Sequence, residues 1–593
     1  MDRIRQASGK HSRRSFLQHS GLGLVALAAW STPRAHSVPS RPNVLLIMTD
    51  DQGYGDLSCL GNPVLQTPHL DELHRQSLRL TNFHVSPTCA PTRASLMTGR
   101  YNNRTGVWHT IMGRSILRRD EITMADYFKK AGYQTGIFGK WHLGDTYPYR
   151  PEDRGFDEVL VHGGGGVGQT PDYWGNNYQD DTYFHNGTPK ACPGYCTDVW
   201  FDAAREFMTQ QGETPFFCYL PTNVPHGPFL VADKYKKPFE EKGLKEGQAA
   251  FYGMLTHFDE CVGRLMKALD DAHLADNTIV IFMTDNGTAA GDKAGMRGTK
   301  GSEYEGGHRA PCFIRWPDGK WTGGKDIPEL SAHIDLLPTL LETCGIDQDT
   351  SMPFDGISLV PWLQDATHPA AARAIVVDSQ RIDHPEKWRK SAVLEGRWRL
   401  VNGKELYDLD TDPAQKHDVA TEHPDIVTRL TAHYDGWWTS TSARFDEYCP
   451  MVIGAAGQGV SHLTCHDWHA PIKQVPWNQP YVRDGRPGQG FWVVEVEQEG
   501  TYQFDLRRWP VESDGTMRGS VDGGKALEIT EARVHIAGLS ESTPVSATDR
   551  SATFRLNLPK GQHRLQSTLV EADGSERGAY YVSIAKVDGP PQI

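Results

Sequence analysis

The chain has 593 residues, of which 38% are hydrophobic and 23% are charged. This composition fits a globular protein of about three domains and argues against disorder or a coiled coil. The 61 basic and 74 acidic residues give a net charge of −13, which argues against general nucleic-acid binding. Ten cysteines are too few for a disulfide scaffold.

The N-terminal residues 1–37 have the pattern of a targeting segment. Arg13 and Arg14 precede a short apolar run at 21–30, and small residues at 35–37 suit a cleavage site. The run is too short for a comfortable membrane span, and no other segment reaches about 18 apolar residues. We therefore predict a twin-arginine signal peptide, a twin-arginine translocase as partner, a periplasmic or secreted location, and no stable membrane domain. A disordered basic arm or an uncleaved anchor is the alternative.

Two apolar runs far apart in the chain end in similar polar residues. Residues 43–48 read as a buried strand and lead into Asp50 and Asp51, and residues 278–283 lead into Asp285 and Asn286. The carboxyl ends of strands in an open α/β sheet are the usual place for a ligand site. Carboxylate and amide oxygens from two strand ends can converge on one Ca²⁺ or Mg²⁺ ion. Ordinary turn chemistry is the alternative for either pair alone.

Helical and strand patterns alternate between these two runs. Residues 124–133 read as a helix that Gly132 stops, while 134–139 and 215–220 read as strands. The alternation predicts a large α/β domain at 38–375 with helices on both faces of its sheet.

The rest of the chain has different secondary-structure patterns. Short strands and a helical stretch at 424–438 predict a small antiparallel α+β subdomain at 376–447. From 448 to 593 the strand patterns are short, alternating and bounded by turns, which predicts a β-rich accessory domain folded as a β-sandwich. Its tryptophans, for example Trp492 and Trp509, could stack on sugar rings, but burial in the sandwich core is the favoured interpretation.

The sequence C-A-P-T-R-A-S-L-M-T-G-R at 89–100 resembles the signature of type I sulfatases, C-x-P-[ST]-R followed by T-G-R. The resemblance continues in family order over about 43–440 and leaves the C-terminal 120 or so residues outside it. The further matching segments are D-D-Q-G at 50–53, G-K-W-H-L-G at 139–144, P-H-G-P at 225–228, D-N-G at 285–287, G-T-K-G at 298–301, Y-E-G-G at 304–307 and H-I-D-L-L-P-T at 333–339.

The resemblance implies an alkaline-phosphatase-like fold with a large mixed sheet sandwiched by helices. It also implies that Cys89 is converted to formylglycine by a formylglycine-generating enzyme during maturation. A cysteine without such a context is usually a small buried hydrophobe. Among the other nine, two pairs are close enough in sequence for local disulfides: Cys192 with Cys196, and Cys449 with Cys465.

Family resemblance further implies a role for each site residue. One Ca²⁺, with Mg²⁺ as the alternative, is held by residue 89 together with Asp50, Asp51, Asp285 and Asn286. One hydroxyl of the hydrated formylglycine attacks sulfur, the alcohol leaves, and collapse to the aldehyde expels sulfate. The supporting residues are Arg93 on the formylglycine hydroxyls, Lys140 and Lys300 on the sulfate oxygens, His142 as the base for collapse, and His226 at the leaving oxygen.

These features predict a sulfuric ester hydrolase of the arylsulfatase type. The expected substrate is a sulfated polysaccharide or oligosaccharide, with aryl sulfates as surrogates. A phosphoester or phosphonate hydrolase on the same scaffold, and a non-catalytic carbohydrate-binding protein, are the alternatives. Residues that could line the pocket mouth, or could equally pack inside the protein, are His109, Arg114, Tyr173, Trp174 and His308, with His162 as a further polar candidate.

Overall fold

The computed structural model describes residues 41–587, so the predicted signal peptide lies outside the described residues. The first twelve strands are β1 (Asn43–Thr49), β2 (Leu78–Leu80), β3 (Phe83–His84), β4 (Gln134–Lys140), β5 (Glu158–His162), β6 (Thr182–His185), β7 (Thr188–Ala191), β8 (Phe216–Pro221), β9 (Thr278–Thr284), β10 (Cys312–Arg315), β11 (Lys325–Ile327) and β12 (Ser331–Ala332). Ten of them form one mixed sheet in the order β11-β2-β10-β9-β1-β8-β4-β5-β6-β7, and β3 pairs with β12.

The centre of the large sheet is parallel, and β1 lies between β8 and β9. Every residue of β1 is buried, because the sheet is covered on both faces. Val44, Leu46 and Met48 pack into one core, whereas Leu45 and Ile47 pack into the other. This alternation follows from the period of two along a strand.

The helices of this part are α1 (Pro68–Gln76), α2 (Cys89–Thr98), α3 (Asn102–Thr105), α4 (Met124–Lys130), α5 (Cys196–Thr209), α6 (Asp233–Glu240), α7 (Glu246–Asp271), α8 (Glu305–His308), α9 (Leu336–Cys344) and α10 (Val360–Gln364). Apolar residues of α2, α4, α9 and α10 share one core, and those of α1, α5, α6 and α7 share the other. The predicted α/β fold with helices on both faces is confirmed. Among the helices of residues 41–587, none combines the length and apolar character needed to cross a bilayer.

A four-stranded antiparallel sheet follows, made of β13 (Ile375–Asp378), β14 (Ser391–Glu395), β15 (Trp398–Val401) and β16 (Glu405–Asp408). Helix α11 (Pro424–Ser442) packs on it through Leu430, Tyr434 and Trp437. This is the small α+β arrangement that the sequence predicts. The predicted boundaries at 375 and 447 lie inside one compact unit, so they stay a division based on sequence.

The last strands are β17 (Met451–Ile453), β18 (Ser461–Thr464), β19 (Trp492–Val496), β20 (Gly500–Arg507), β21 (Ile529–Ile536), β22 (Leu539–Pro544), β23 (Ala552–Leu558), β24 (Gly561–Glu571), β25 (Glu576–Arg577) and β26 (Tyr581–Lys586), with helix α12 at Gln479–Arg483. They form two sheets, β17-β19-β24-β21-β22, with β25 also paired to β24, and β18-β26-β20-β23, which share one core. Trp492 and Trp509 are buried in this core, so the packing interpretation of these tryptophans is confirmed.

The β-rich part is joined closely to the α/β part. Ile111, Met112 and Tyr149 contribute to its core, the Met112 backbone N–H donates to the His466 carbonyl at 2.8 Å, and the Tyr149 hydroxyl donates to the Pro450 carbonyl at 2.8 Å. The shared core fixes the β-rich part against the segments that follow the C-x-P-x-R motif. All ten cysteines are free thiols, so neither candidate local disulfide is formed.

Candidate active site

The two predicted strand ends lie side by side. In the parallel pair β1 and β9, Thr49 lies opposite Thr284, so Asp50 and Asp285 leave the sheet as neighbours. The Asp51 backbone N–H donates to Asp285 Oδ1 at 3.2 Å, and Asn286 Nδ2 donates to Asp51 Oδ1 at 2.9 Å. We call Asp50, Asp51, Asp285 and Asn286 the strand-end cluster. All four are buried, so their charge must be balanced inside the protein.

Cys89 is the first residue of α2 and is buried beside the strand-end cluster. The Sγ atom of Cys89 and one carboxylate oxygen each from Asp50 and Asp285 lie within 4.8 Å of one another. The first turn of a helix has unpaired backbone N–H groups and the positive end of the helix dipole. Residue 89 is therefore placed where negative charge is stabilised.

Arg93 lies one turn further along α2, on the same helix face as Cys89. Its guanidinium donates to Asp285 Oδ2 at 2.9 Å and to the Lys140 carbonyl at 2.8 Å. Lys140 ends β4 and places Nζ 2.6 Å from Asp50 Oδ2. Two buried cations thus reach the strand-end cluster, one from a helix and one from β4, which is separated from β1 by β8.

Loops bring two further predicted residues to the other side of the cluster. Lys300 Nζ lies 2.6 Å from Asp51 Oδ1, and His226 Nε2 lies 3.8 Å from Asp51 Oδ2. His226 is held by Tyr178, whose hydroxyl donates to the His226 carbonyl at 2.9 Å. The structure therefore brings together nine of the ten predicted site residues. Eight of them are joined by hydrogen bonds or ion pairs, and Cys89 lies within 4.8 Å of carboxylate oxygens of Asp50 and Asp285.

His142, the tenth, is buried close by. Its Nε2 atom lies 2.8 Å from the Thr110 carbonyl, which can only accept, so Nε2 carries the proton in this tautomer. The other ring nitrogen, Nδ1, is buried and has no hydrogen-bond partner among the described residues. His162 lies opposite Lys140 in the strand register, is buried, and bonds through Nδ1 to the Gly163 carbonyl.

Charge inside the site shifts several pKa values. Burial alone would raise the pKa of Asp50, but the charges of Lys140, His226 and Arg93 hold that pKa well below its ordinary value. Burial, with Asp50 alongside, raises the pKa of Asp285. Burial would lower the pKa of Lys300, but the charges of Asp51 and Cys89 raise it. Lys300 therefore stays a cation at neutral pH.

Three of the candidate pocket-mouth residues belong to packed networks instead. His109 is buried with Nδ1 accepting from the backbone of Thr110, and Arg114 is buried against Asp383. His308 belongs to a buried group (His84, Glu305, His308 and Arg399) that we call the Glu305 cluster, in which Arg399 Nε lies 2.6 Å from Glu305 Oε1.

Trp174 does line a cavity, which opens beside His226. Part of that cavity wall is supplied by residues 477–483 of the β-rich part, which the sequence analysis did not identify. Their sequence, W-N-Q-P-Y-V-R, carries no pattern that distinguishes a binding wall from an ordinary turn and short helix.

Comparisons with known proteins agree with this geometry. The sulfatase family profile matches residues 42–346, and the profile for the C-terminal region of N-sulphoglucosamine sulphohydrolase matches 299–435. Human N-acetylgalactosamine-6-sulfatase is 32% identical over 358 residues, which are 56% of this chain and 67% of that protein. Human arylsulfatase A is 33% identical over 379 residues, which are 57% of this chain and 70% of that protein.

Among solved structures, Ps i-CgsB in complex with k-i-k-neocarrahexaose is similar with a TM-score of 0.63 and 27% identity, covering 69% of this chain and 95% of that one. The family profile spans the strand-end cluster, Cys89, both lysines and His226. This chain therefore belongs to the sulfatase family of the alkaline phosphatase superfamily and is an enzyme that hydrolyses sulfate esters.

Proposed function

We propose that the protein is an exported, formylglycine- and Ca²⁺-dependent sulfatase that acts on sulfated carbohydrates. One observation carries this proposal: the Cys89 side chain lies within 4.8 Å of carboxylate oxygens from two separate strand ends. A nucleophile precursor, an oxygen-rich cluster and three cationic side chains then occupy one buried site. The similarity to N-acetylgalactosamine-6-sulfatase and to a carrahexaose-bound protein supports a carbohydrate substrate.

The strand-end cluster has the donors that a hard divalent cation needs. Asp50 Oδ1 and Asn286 Oδ1 are buried without a hydrogen-bond partner among the described residues, although buried polar atoms are normally paired. Carboxylate and amide oxygens are preferred by Ca²⁺ and Mg²⁺. Asp50, Asp51, Asp285, Asn286 and the oxygen of a modified residue 89 would hold the ion. When bound, it would neutralise sulfate charge and lower the pKa of the nucleophile.

Formylglycine at residue 89 would supply a hydrated aldehyde, which offers a hydroxyl for attack and a route for expelling sulfate. Arg93 is already fixed by Asp285 Oδ2 at 2.9 Å and the Lys140 carbonyl at 2.8 Å. Because its guanidinium need not reorganise, Arg93 can orient the hydroxyls of residue 89 and stabilise their negative charge.

Lys140 and Lys300 contact the cluster from two sides, at Asp50 and Asp51 respectively. A sulfate group between them would meet two ammonium groups aimed at its oxygens. Such preorganised charge stabilises the sulfuryl group as electrons move to the leaving oxygen. This arrangement supports the predicted role of both lysines as a sulfate clamp.

The two histidines are set for opposite proton transfers. His226 Nδ1 lies 2.7 Å from the Gly227 carbonyl and donates to it, and Nε2 lies 3.8 Å from Asp51 Oδ2. Burial lowers the pKa of His226, so the ring would have to take up a second proton on Nε2, and the resulting imidazolium would give that proton readily to the departing alcohol oxygen. His142 donates from Nε2 to Thr110, so its Nδ1 lone pair is free to accept a proton during sulfate expulsion.

The test is ester hydrolysis by the full chain produced together with a formylglycine-generating enzyme. We expect release of sulfate from 4-nitrophenyl sulfate and from sulfated oligosaccharides to exceed release of phosphate from 4-nitrophenyl phosphate. Faster phosphate or phosphonate ester hydrolysis would favour the alternative hydrolase. Saccharide binding without any hydrolysis would favour a non-catalytic protein.

Export is the part of the proposal that rests on sequence alone. Arg13 and Arg14 before the apolar run at 21–30 support a twin-arginine signal. This route carries folded proteins, which suits an enzyme modified at Cys89 before export. Fractionation of cells should place the wild-type chain outside the cytoplasm and retain an Arg13→Lys/Arg14→Lys variant inside. Equal distribution of the two chains would contradict the signal.

A further inference from the structure

A cavity of about 530 Å³ lies beside the site, and both the α/β part and the β-rich part line it. The volume is within the roughly 300–1,000 Å³ typical of small-ligand pockets. His226 links the cavity to the strand-end cluster, since its ring lines the cavity and its Nε2 atom lies 3.8 Å from Asp51. The other lining residues used below are Trp174, Trp477, Asn478, Arg483 and Asp522.

The two sides of this cavity are held together by hydrogen bonds. Gln479 Nε2 donates to the carbonyls of Gln169, Asp172 and Tyr173 at 3.1–3.2 Å. Gln479 Oε1 accepts from the Gly175 backbone at 3.0 Å. One side chain of the β-rich part thus ties down the 169–175 loop. The cavity wall is therefore preorganised, which reduces the entropy cost of binding.

Trp174 and Trp477 provide partly exposed aromatic surface in the wall. Trp174 is oriented by its indole N–H, which donates to Asp522 Oδ2 at 2.7 Å, and by an edge contact with Trp509 at 5.3 Å. Trp477 packs edge-on against Tyr481 at 5.5 Å. Rigid, amphipathic aromatic rings of this kind suit the apolar faces of sugar rings.

Arg483 is the unusual member of the lining. Its guanidinium makes no hydrogen bond or ion pair with any residue in the described range 41–587, and it is partly buried. The Asn478 side-chain amide, within the same described part, is likewise without a partner. Asp522, the acidic residue of the lining, is occupied by Trp174. An unpaired guanidinium and a free amide in the lining of one cavity are suited to a carboxylate or a sulfate group.

We propose that this cavity binds the sugar next to the one whose sulfate is removed, and that Arg483 pairs with an anionic substituent on that neighbouring sugar. The inference rests on the proposed function, because it needs a sulfated saccharide at Asp51 and His226. It assigns the β-rich part a direct share in substrate selection. The substrate class becomes a sulfated oligosaccharide with acidic groups on adjacent units.

The experiment compares Arg483→Ala with wild type on two kinds of substrate. The small substrate is 4-nitrophenyl sulfate, which has no second sugar. The large substrates are a disaccharide from chondroitin 6-sulfate, whose neighbouring sugar carries a carboxylate, and oligosaccharides of ι-carrageenan, whose neighbouring sugar carries a sulfate. We expect kcat/KM for the preferred oligosaccharide to fall about tenfold or more, as for loss of a charged hydrogen bond, with aryl sulfate hydrolysis unchanged.

Two further variants separate recognition from folding. Arg483→Lys keeps the charge and should recover part of the lost oligosaccharide activity. Arg486→Ala is the matched control, because Arg486 lies three residues on, packs over Tyr481 at 4.4 Å and does not line the cavity. It should leave both activities near wild type. Thermal unfolding midpoints of all variants should agree within a few degrees.

Three results would overturn the inference. Equal losses on aryl sulfate and oligosaccharide would show that Arg483 only supports the fold. Unchanged oligosaccharide kinetics would show that the cavity is outside the substrate path. Both leave the proposed function standing, provided that wild type hydrolyses sulfate esters of saccharides. Absence of sulfate release from every saccharide by wild type would instead remove the proposed carbohydrate sulfatase function together with this inference.

Discussion

The strand-end cluster and the Glu305 cluster each contain a buried carboxylate bonded to an arginine, but they differ in how their polar atoms are paired. In the Glu305 cluster, both carboxylate oxygens of Glu305 face arginines and the two histidines bond to each other. In the strand-end cluster, Asp50 Oδ1 and Asn286 Oδ1 have no partner among the described residues. Both clusters include groups close enough to hold a metal ion. The unpaired oxygens indicate that the strand-end cluster binds a ligand, whereas the internally paired Glu305 cluster stabilises the fold.

Among the variants that test the difference between the two clusters, Cys89→Ala should have the largest effect on activity. Loss of the formylglycine precursor should remove essentially all sulfatase activity, since the nucleophile is gone. The unfolding midpoint should stay near wild type because the substitution removes one small buried atom. Initial rates with 4-nitrophenyl sulfate and thermal unfolding measure the two effects.

Cys59→Ser is the matched control, because Cys59 is a partly exposed free thiol whose backbone N–H donates to Asp71, a residue outside the strand-end cluster. It should retain activity. Peptide mass spectrometry of active wild-type enzyme should show residue 89 as an aldehyde. Full activity with unmodified Cys89 would end the nucleophile assignment.

Removal of the metal should be the next largest effect. Asp50→Asn keeps the shape of the side chain but removes one charge from the strand-end cluster, and we expect activity to fall by about 10²–10³. Dialysis against a chelator should inactivate wild type, and added Ca²⁺ should restore it. Calorimetric titration should detect Ca²⁺ binding to wild type and weaker binding to Asp50→Asn. Full activity after exhaustive chelation would contradict the metal proposal.

Removing a charged side chain from the Glu305 cluster should lower the free energy of unfolding rather than the rate of ester hydrolysis. Arg399→Met leaves the buried carboxylate of Glu305 with Arg309 alone, at 3.3 Å, and loss of one partner in a buried pair costs about 3–5 kcal/mol. Urea unfolding should show this loss, and the double variant Arg399→Met/Glu305→Gln should recover part of it. A large fall in kcat for the still-folded single variant would show that the Glu305 cluster takes part in catalysis.

Sequence reasoning found the residues whose positions follow from local patterns. Asp50 and Asp285 end apolar strands, and parallel pairing of those strands places them together without further information. Cys89 and Arg93 were found through the C-x-P-[ST]-R signature, whereas the helix that carries them was not predicted from the sequence. Trp477 and Arg483 could not be found in this way, because their place beside His226 depends on how Gln479 ties down a loop about 300 residues earlier in the chain.

The same limit explains why the sequence leaves His308 open between a place at the pocket mouth and a place in the packed interior. Its neighbours in sequence match the family motif, but its ring bonds to His84, which is 224 residues away. Arg399, from the small α+β part, completes the cluster. Long-range pairing of charges leaves no periodic signal in a single sequence.

The smallest expected effect is a loss of stability in acid that comes from the Glu305 cluster. Burial lowers the pKa of His308 to about 4 and that of His84 well below 6.5. Burial alone would raise the pKa of Glu305, but Arg399 and the two histidines lower it below 4.5. As the pH falls from 6.5 towards 4, the unfolded chain takes up protons on histidines that stay neutral in the folded protein. The free energy of unfolding must therefore fall over this window.

A His308→Gln variant isolates this contribution. It removes one of the two titrating rings, so its stability should change less between pH 7 and pH 4.5 than that of wild type, whatever its stability at neutral pH. Urea midpoints at several pH values give the two curves. Glu305 adds to the loss in wild type only below about pH 4.5, because its carboxylate protonates first in the unfolded chain. Parallel curves would mean that His308 has the same pKa in the folded and the unfolded protein. That result would contradict the burial of His308 in an internally paired cluster.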